Sequence, residues 1–215
     1  MTLKQPQNKH EIKRINTYND NRFSPIALNQ HGCFLVDNQP YEITILSDYE
    51  AVINGPDPTV YLAVIEEFLF YTPHITVFFN KNGSKIVEYP RLPLIWIHLD
   101  QIQPSQFFVD QDKVNAIRTF IHQKEDIIIP VTQSDERYIS LDGHTRLYYA
   151  HLMGWKCVRC VVIPSDDWVY DFVREAKKRG IVSPKDLILI SHDQYEEKWN
   201  RFCEQFFQQK TSDQK

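Results

Sequence analysis

Four cysteines, Cys33, Cys157, Cys160 and Cys203, are too few to staple a chain of 215 residues, which excludes a disulfide-framework scaffold. No uninterrupted apolar run reaches the roughly 20 residues that a membrane-spanning helix needs. The opening Met-Thr-Leu-Lys-Gln-Pro-Gln-Asn-Lys-His lacks the apolar centre of a signal peptide. Together these absences predict a cytoplasmic protein with no membrane partner. A basic excess is missing as well. The formal charge of −4 counts against a protein that coats nucleic acid by neutralising phosphates. Internal repeats and long low-complexity tracts are absent. What is there is an ordinary apolar share with many aromatics, enough for a sizeable core.

Residues 1–22 are polar and read as a loosely held arm. Residues 23–92 read as an α+β region. Cys33-Phe-Leu-Val and Tyr41-Glu-Ile-Thr-Ile-Leu46 are predicted strands around the turn Asp37-Asn-Gln-Pro40. Asp57 caps a helix that has Pro58 at its first position and continues through Phe70. A hairpin follows, with Ile75–Phe79 and Lys85–Tyr89 flanking Asn82-Gly83, the pair favoured in a type I′ turn. Glu66 and Glu67 sit on that otherwise apolar helix. With His74 they read either as solvent-facing or as lining a polar cleft against the next region.

Pro90-Arg-Leu-Pro93 marks the boundary to a second region, 93–164. Its elements are a strand at Leu94-Ile-Trp-Ile97, a turn to Pro104 and a helix over 111–122. An apolar strand, Ile127-Ile-Ile-Pro-Val131, pairs through the polar residues 132–135 with Glu136-Arg-Tyr-Ile-Ser-Leu141. A further helix ends at Gly154, and a strand runs over 156–163. Cys157 and Cys160 spell C-x-x-C, but residues three apart in a strand point to opposite faces, so they read as core. Residues 165–215 supply two helices that pack on the domain. The last carries Tyr195, Trp199, Phe202 and Phe206 as one apolar stripe, with fraying expected beyond Lys210.

The chemistry concentrates in Asp142-Gly143-His144-Thr145-Arg146, where a strand runs into a helix. A helix start carries unpaired N–H groups and the positive end of the macrodipole. The glycine admits a ligand close to the backbone, and His144 and Arg146 add donors, so the pentad reads as a phosphate or carboxylate site. His144 and His151 share a helix face, but two histidines make an incomplete metal site, and His151 reads as a packed or interfacial residue.

Element order around the pentad resembles the ParB/sulfiredoxin superfamily, in particular small ParB-like proteins related to free serine kinases. The matching residues are Ile97-His-Leu-Asp-Gln-Ile-Gln-Pro104, Ile128-Ile-Pro-Val131, Leu141-Asp-Gly-His-Thr-Arg-Leu147 and Gly154-Trp-Lys-Cys-Val158. They span about a third of the chain. The resemblance implies an α/β protein: a ParB/sulfiredoxin-like domain with an N-terminal α+β extension and C-terminal helices. It also implies a bound nucleotide, ATP or ADP with Mg²⁺ or alternatively CTP, with Gly143, His144, Thr145 and Arg146 lining the phosphates. Asp142 is open to three roles: helix cap, Mg²⁺ ligand or base. Asp142 and His144 are the candidate catalytic residues.

Three departures from the family narrow the chemistry. His144 stands where sulfiredoxins have their reactive cysteine, which removes sulfinic acid reduction. Gln106 stands where free serine kinases have a basic glutamate, and an amide cannot take a proton, so kinase activity would need another carboxylate such as Asp110 or Asp112. No helix-turn-helix region follows Pro164, which leaves DNA partition a poor fit, and no carboxylate cluster or basic groove favours a nuclease. The expected function is a nucleotide-binding ParB-like protein that transfers phosphate to a small-molecule acceptor. The alternative is a non-catalytic module that senses a nucleotide or binds a protein partner.

Overall fold

The computed structural model describes residues 10–213, with side chains to residue 209. It is a mixed α/β structure whose chain divides at Leu92/Pro93 into two units. No helix among the described residues is long and apolar enough to cross a membrane.

The first unit runs β1 (Ile12–Arg14), α1 (Pro25–Asn29), β2 (Cys33–Val36), β3 (Gln39–Ile45), β4 (Glu50–Asn54), α2 (Tyr61–Leu69), β5 (Val77–Asn80) and β6 (Lys85–Glu88). These strands form one six-stranded sheet in sequence order, parallel only between β4 and β5, where α2 supplies the crossover that a parallel pair needs. Asp37 and Asn38 both take positive φ, 48° and 64°, the two-residue turn whose twist suits the β2–β3 hairpin. Asp57 caps a single 3-10 turn, Pro58–Val60, ahead of α2. Helix α2 buries Tyr61, Val64, Ile65 and Phe68, an i, i+3, i+4, i+7 face packed against Phe34, Ile43, Ile53 and Phe78 of the sheet. Glu66 and Glu67 lie on its exposed side, and His74 is buried. Gly32 is required by a close approach: a Cβ there would lie 1.9 Å from the Ile43 carbonyl oxygen.

Two expectations change in this unit. Part of the polar arm joins the sheet, because β1 pairs antiparallel with β2; residues 1–9 of the arm lie outside the described residues. The β5–β6 turn is not type I′, since only Gly83 takes positive φ. The Asn80 side chain accepts from the N–H groups of Asn82 and Ser84, and Gly83 N–H donates to the Asn80 carbonyl. That local capping makes the longer turn, in which only the glycine is left-handed.

The second unit contains β7 (Leu94–His98), β8 (Ile102–Pro104), β9 (Phe108–Asp110), α3 (Gln111–Ile117), β10 (Ile128–Ser134), β11 (Arg137–Ser140), α4 (His144–Leu152), β12 (Cys157–Val162), α5 (Trp168–Lys178), β13 (Ile188–Ile190), α6 (His192–Tyr195) and α7 (Arg201–Asp213). Five strands form a sheet in the order β7-β12-β10-β11-β8. β10 lies at its centre and buries its first five residues on both faces, which is why it reads as an unbroken apolar run. Helix α4 ends where expected, with Gly154 at φ 70° just past its C-cap.

Here too the structure corrects details. The β10–β11 turn is Asp135-Glu136, so Thr132–Ser134 belong to the strand. Helix α3 stops at Ile117, because Thr119 N–H turns back to Ala116 and Phe120 N–H to Ile117 in three-residue turns. The C-terminal segment is not purely helical: β13 pairs in parallel with β9. One π-helical turn, Glu196–Asn200, joins α6 to α7. The aromatic stripe does dock. Phe172 of α5 lies 5.8 Å from Trp199, 5.6 Å from Phe202 and 4.6 Å from Phe206, and Phe107 lies 4.9 Å from Trp199.

Candidate functional site

The start of α4 is built by a backbone switch. Gly143 is the N-cap, at φ 80°, and no side chain caps the helix. Asp142 is therefore not the cap that was one of its expected roles. Its carboxylate instead faces the Arg146 guanidinium at 3.3 Å, one turn along the same helix face. Arg146 also donates to the Ile128 carbonyl at 3.0 Å. A Cβ on residue 143 would meet Ile129 Cδ1 at 2.7 Å and the Arg146 guanidinium at about 3 Å, so glycine is needed both for the left-handed turn and for the arginine folded over it. Leu147 N–H is the first in the helix to reach a helix carbonyl, that of Gly143, which leaves the amides of residues 144–146 at the mouth.

His144 is placed differently from its expected role. The residue is 6% exposed, and its ring points inward. Nε2 accepts from Ser105 N–H at 3.2 Å and lies 3.0 Å from Ser140 Oγ. The Ser105 hydroxyl donates to the Ser140 carbonyl at 2.7 Å, so it cannot also donate to the imidazole. An Nε2 that accepts carries no proton. Burial drives the His144 pKa down to about 4, with Arg146 adding to the fall and Asp142 opposing it. The imidazole thus ties the β8–β9 loop to the end of β11 and holds α4 in place.

Around this helix start the β8–β9 loop and the C-terminal elements bring together residues far apart in sequence. The Gln106 amide donates to the Phe108 carbonyl and, at 3.2 Å, to the Tyr195 hydroxyl. The position expected to matter for a base is thus a brace between the loop and α6. Burial raises the Tyr195 pKa; the Gln106 hydrogen bond opposes the rise, while Cys203, Asp110 and Asp142 add to it. The two carboxylates therefore lie within electrostatic reach of one phenol. Asp110, 1% exposed, ends β9 and caps α3 by accepting from Asp112 N–H at 2.8 Å. Its other oxygen takes His192 Nδ1 at 2.8 Å. The His192 pKa is raised, chiefly by that bond and the Asp110 charge, against an opposing effect of burial, with Glu196 and Asp112 adding to the rise.

Asp110, Asp112 and His192 each place one donor atom within 4.8 Å of the others. A cation there would have to displace the Asp112 amide and the proton on His192 Nδ1, so we read the trio as a hydrogen-bonded pair beside a helix cap. Asp142 is outside that group. Cys157 is half-buried and Cys160 buried, both as free thiols, and burial pushes the Cys160 thiol up to about 12. His151 is exposed at the far end of α4.

Of the residues singled out in the sequence, Asp142, Gly143 and Arg146 form one cluster, while the His144 ring leaves it. Asp110 was foreseen as a spare carboxylate. His192 and Tyr195 were not foreseen as site residues, and the only signal for them was the docking stripe that Tyr195 begins.

These features define a mixed α/β protein with a polar cluster at a glycine-started helix. No family model matches the chain, and no curated protein matches it. Among solved structures, the crystal structure of protein Atu1540 from Agrobacterium tumefaciens is similar at 20% sequence identity and a TM-score of 0.31, over 45% of this chain. This chain covers 53% of that protein, about half its length, and a likeness so slight carries no argument.

Proposed function

We propose that this protein binds a nucleotide through its phosphates at the start of α4 and belongs with the ParB/sulfiredoxin-like proteins its motif resembles. The observation that supports this most is the left-handed N-cap at Gly143, which sets the open amides of residues 144–146 beside the Arg146 guanidinium. ATP or ADP suits such a site, and CTP is the alternative. Mg²⁺ commonly uses one or two carboxylates plus phosphate oxygens and water. Asp142, half-exposed at the helix mouth, fits that demand and would hold the ion, which would neutralise phosphate charge. Phosphoryl transfer to a small-molecule acceptor would then depend on Arg146 and the helix amides to stabilise the transferring group.

Calorimetry with ATP, ADP and CTP, with and without Mg²⁺, tests the binding. Arg146→Ala should weaken it by about 10- to 100-fold, the worth of a charge-assisted hydrogen bond. Absence of heat with all three nucleotides on the unaltered protein would sink the proposal.

A second reading has its own support. Gln106 carries no base and is engaged with Phe108 and Tyr195, which favours a non-catalytic nucleotide sensor or protein-interaction module. Nucleotide binding without turnover would select it.

A further inference from the structure

The nucleotide reading lacks a base. Gln106 cannot supply one, the His144 ring is neutral and enclosed, and Asp142 faces Arg146. Asp110 is buried with one oxygen on the Asp112 amide and the other on His192, so it cannot itself reach an acceptor. His192 can. Its side chain is 52% exposed, and its Nδ1 is held at 2.8 Å by a carboxylate that is 1% exposed. An ionised carboxylate only accepts, so Nδ1 carries the proton and Nε2 keeps its lone pair. A buried acid that fixes the tautomer and orientation of an exposed imidazole is the arrangement by which a histidine becomes a general base.

The fold also places this pair beside the helix start. Helices α4 and α6 both pack against β9, the strand that ends in Asp110. Tyr195, one turn after His192, accepts from the Gln106 amide of the β8–β9 loop at 3.2 Å, and Ser105 of the same loop donates its N–H to the His144 ring at the start of α4, also at 3.2 Å. The groups facing His192 are Asp110 and Asp112 from the β9–α3 junction and Glu196 from the following turn.

We propose that Asp110 and His192 form the general-base pair of this site, with Nε2 of His192 taking the proton of an acceptor hydroxyl. The hydroxyl oxygen attacks the terminal phosphorus of the nucleotide, and the bond from that phosphorus to the bridging oxygen breaks. The nucleotide one phosphate shorter leaves with the electron pair, and the proton passes from His192 to solvent. His192 would be the catalytic residue and Asp110 its positioning residue. This inference rests on the nucleotide reading given above.

The test follows ADP release from ATP–Mg²⁺ in water alone and with L-serine, ethanolamine or glycerol as hydroxyl acceptors. Each variant is also assayed by calorimetry for ATP. His192→Ala should lower turnover by about 100-fold or more with the ATP affinity within twofold of the unaltered protein. Added imidazole should restore part of the loss. Turnover should rise with pH through the raised pKa of His192, and Asp110→Asn should move that limb to lower pH as well as slowing the reaction. Should Asp110→Asn fail to fold, the His192→Ala rescue and the unaltered protein's pH limb decide the matter alone. Unchanged turnover in His192→Ala overturns the assignment, and so does ATP binding with no turnover in any of the four conditions; both leave the nucleotide reading standing. Failure to bind ATP overturns the assignment, and failure to bind ADP and CTP as well removes the nucleotide reading too.

Discussion

Phe172→Ala is expected to destabilise the second unit by about 3–5 kcal/mol, the usual cost of deleting a buried aromatic ring. Phe172 is 3% exposed, and its ring lies within 6 Å of the rings of Trp168, Trp199, Phe202, Phe206 and Phe207. All but the Phe207 contact are steeply inclined, the geometry in which aromatic pairs add about 0.5–1.5 kcal/mol each beyond buried area. All four tryptophans of the chain, Trp96, Trp155, Trp168 and Trp199, fall in this unit, so urea melts followed by tryptophan fluorescence report it selectively. Phe172→Leu should lose markedly less because it fills much of the same volume. The functional consequence is positional. The aromatic cluster holds Trp199, four residues past Tyr195, and so sets where His192 and Tyr195 stand. A melt of Phe172→Ala within 1 kcal/mol of the unaltered protein would show that the last helix is not anchored there.

Acid should destabilise the same unit through His144. The folded-state pKa, about 4, lies below the ordinary imidazole value of 6.5. Between these values the unfolded chain binds more protons than the folded one, so stability is full above about pH 6.5 and falls as pH drops toward 4. The gap corresponds to about 3 kcal/mol at the acid end. The physical cause is that protonated Nε2 would present a donor to the Ser105 amide, in an interior that poorly solvates the charge. Carboxylates also titrate in this range, so the informative quantity is the difference from His144→Gln. That variant should be less stable at pH 7 but should lose the extra fall between pH 6.5 and 4. Parallel stability curves for the two proteins across that window would refute the buried neutral imidazole.

Parts of this architecture were legible because their signals are local. The β2–β3 turn, read at residues 37–40, is made by Asp37-Asn38, residues that tolerate left-handed backbone, while Gln39 and Pro40 belong to β3. The end of α4 follows from Gly154, and the strand–helix switch from Gly143. Central strand β10 announced itself as an apolar run because both its faces are covered. Where local reading slipped, a neighbouring side chain had changed the turn, as Asn80 does before Gly83 and Thr119 does after α3. Strands β1 and β13 escaped because three residues, Ile-Lys-Arg in one and Ile-Leu-Ile in the other, are too short a run to show periodicity, and their partners, β2 and β9, are not adjacent hairpin strands.

The sequence alone determined that Asp142–Arg146 opens a helix, since backbone preference and spacing are properties of neighbouring residues. It also marked Gln106 as no base. Only the tertiary structure decided that the His144 ring turns inward onto Ser105 and Ser140, and that His192 meets Asp110 across 82 positions of chain. The contact of His192 with Asp110 exists because β13 pairs with β9 and the aromatic stripe packs on Phe107 and Phe172. The pattern of apolar residues says that such packing occurs. It does not say which polar groups the packing brings face to face.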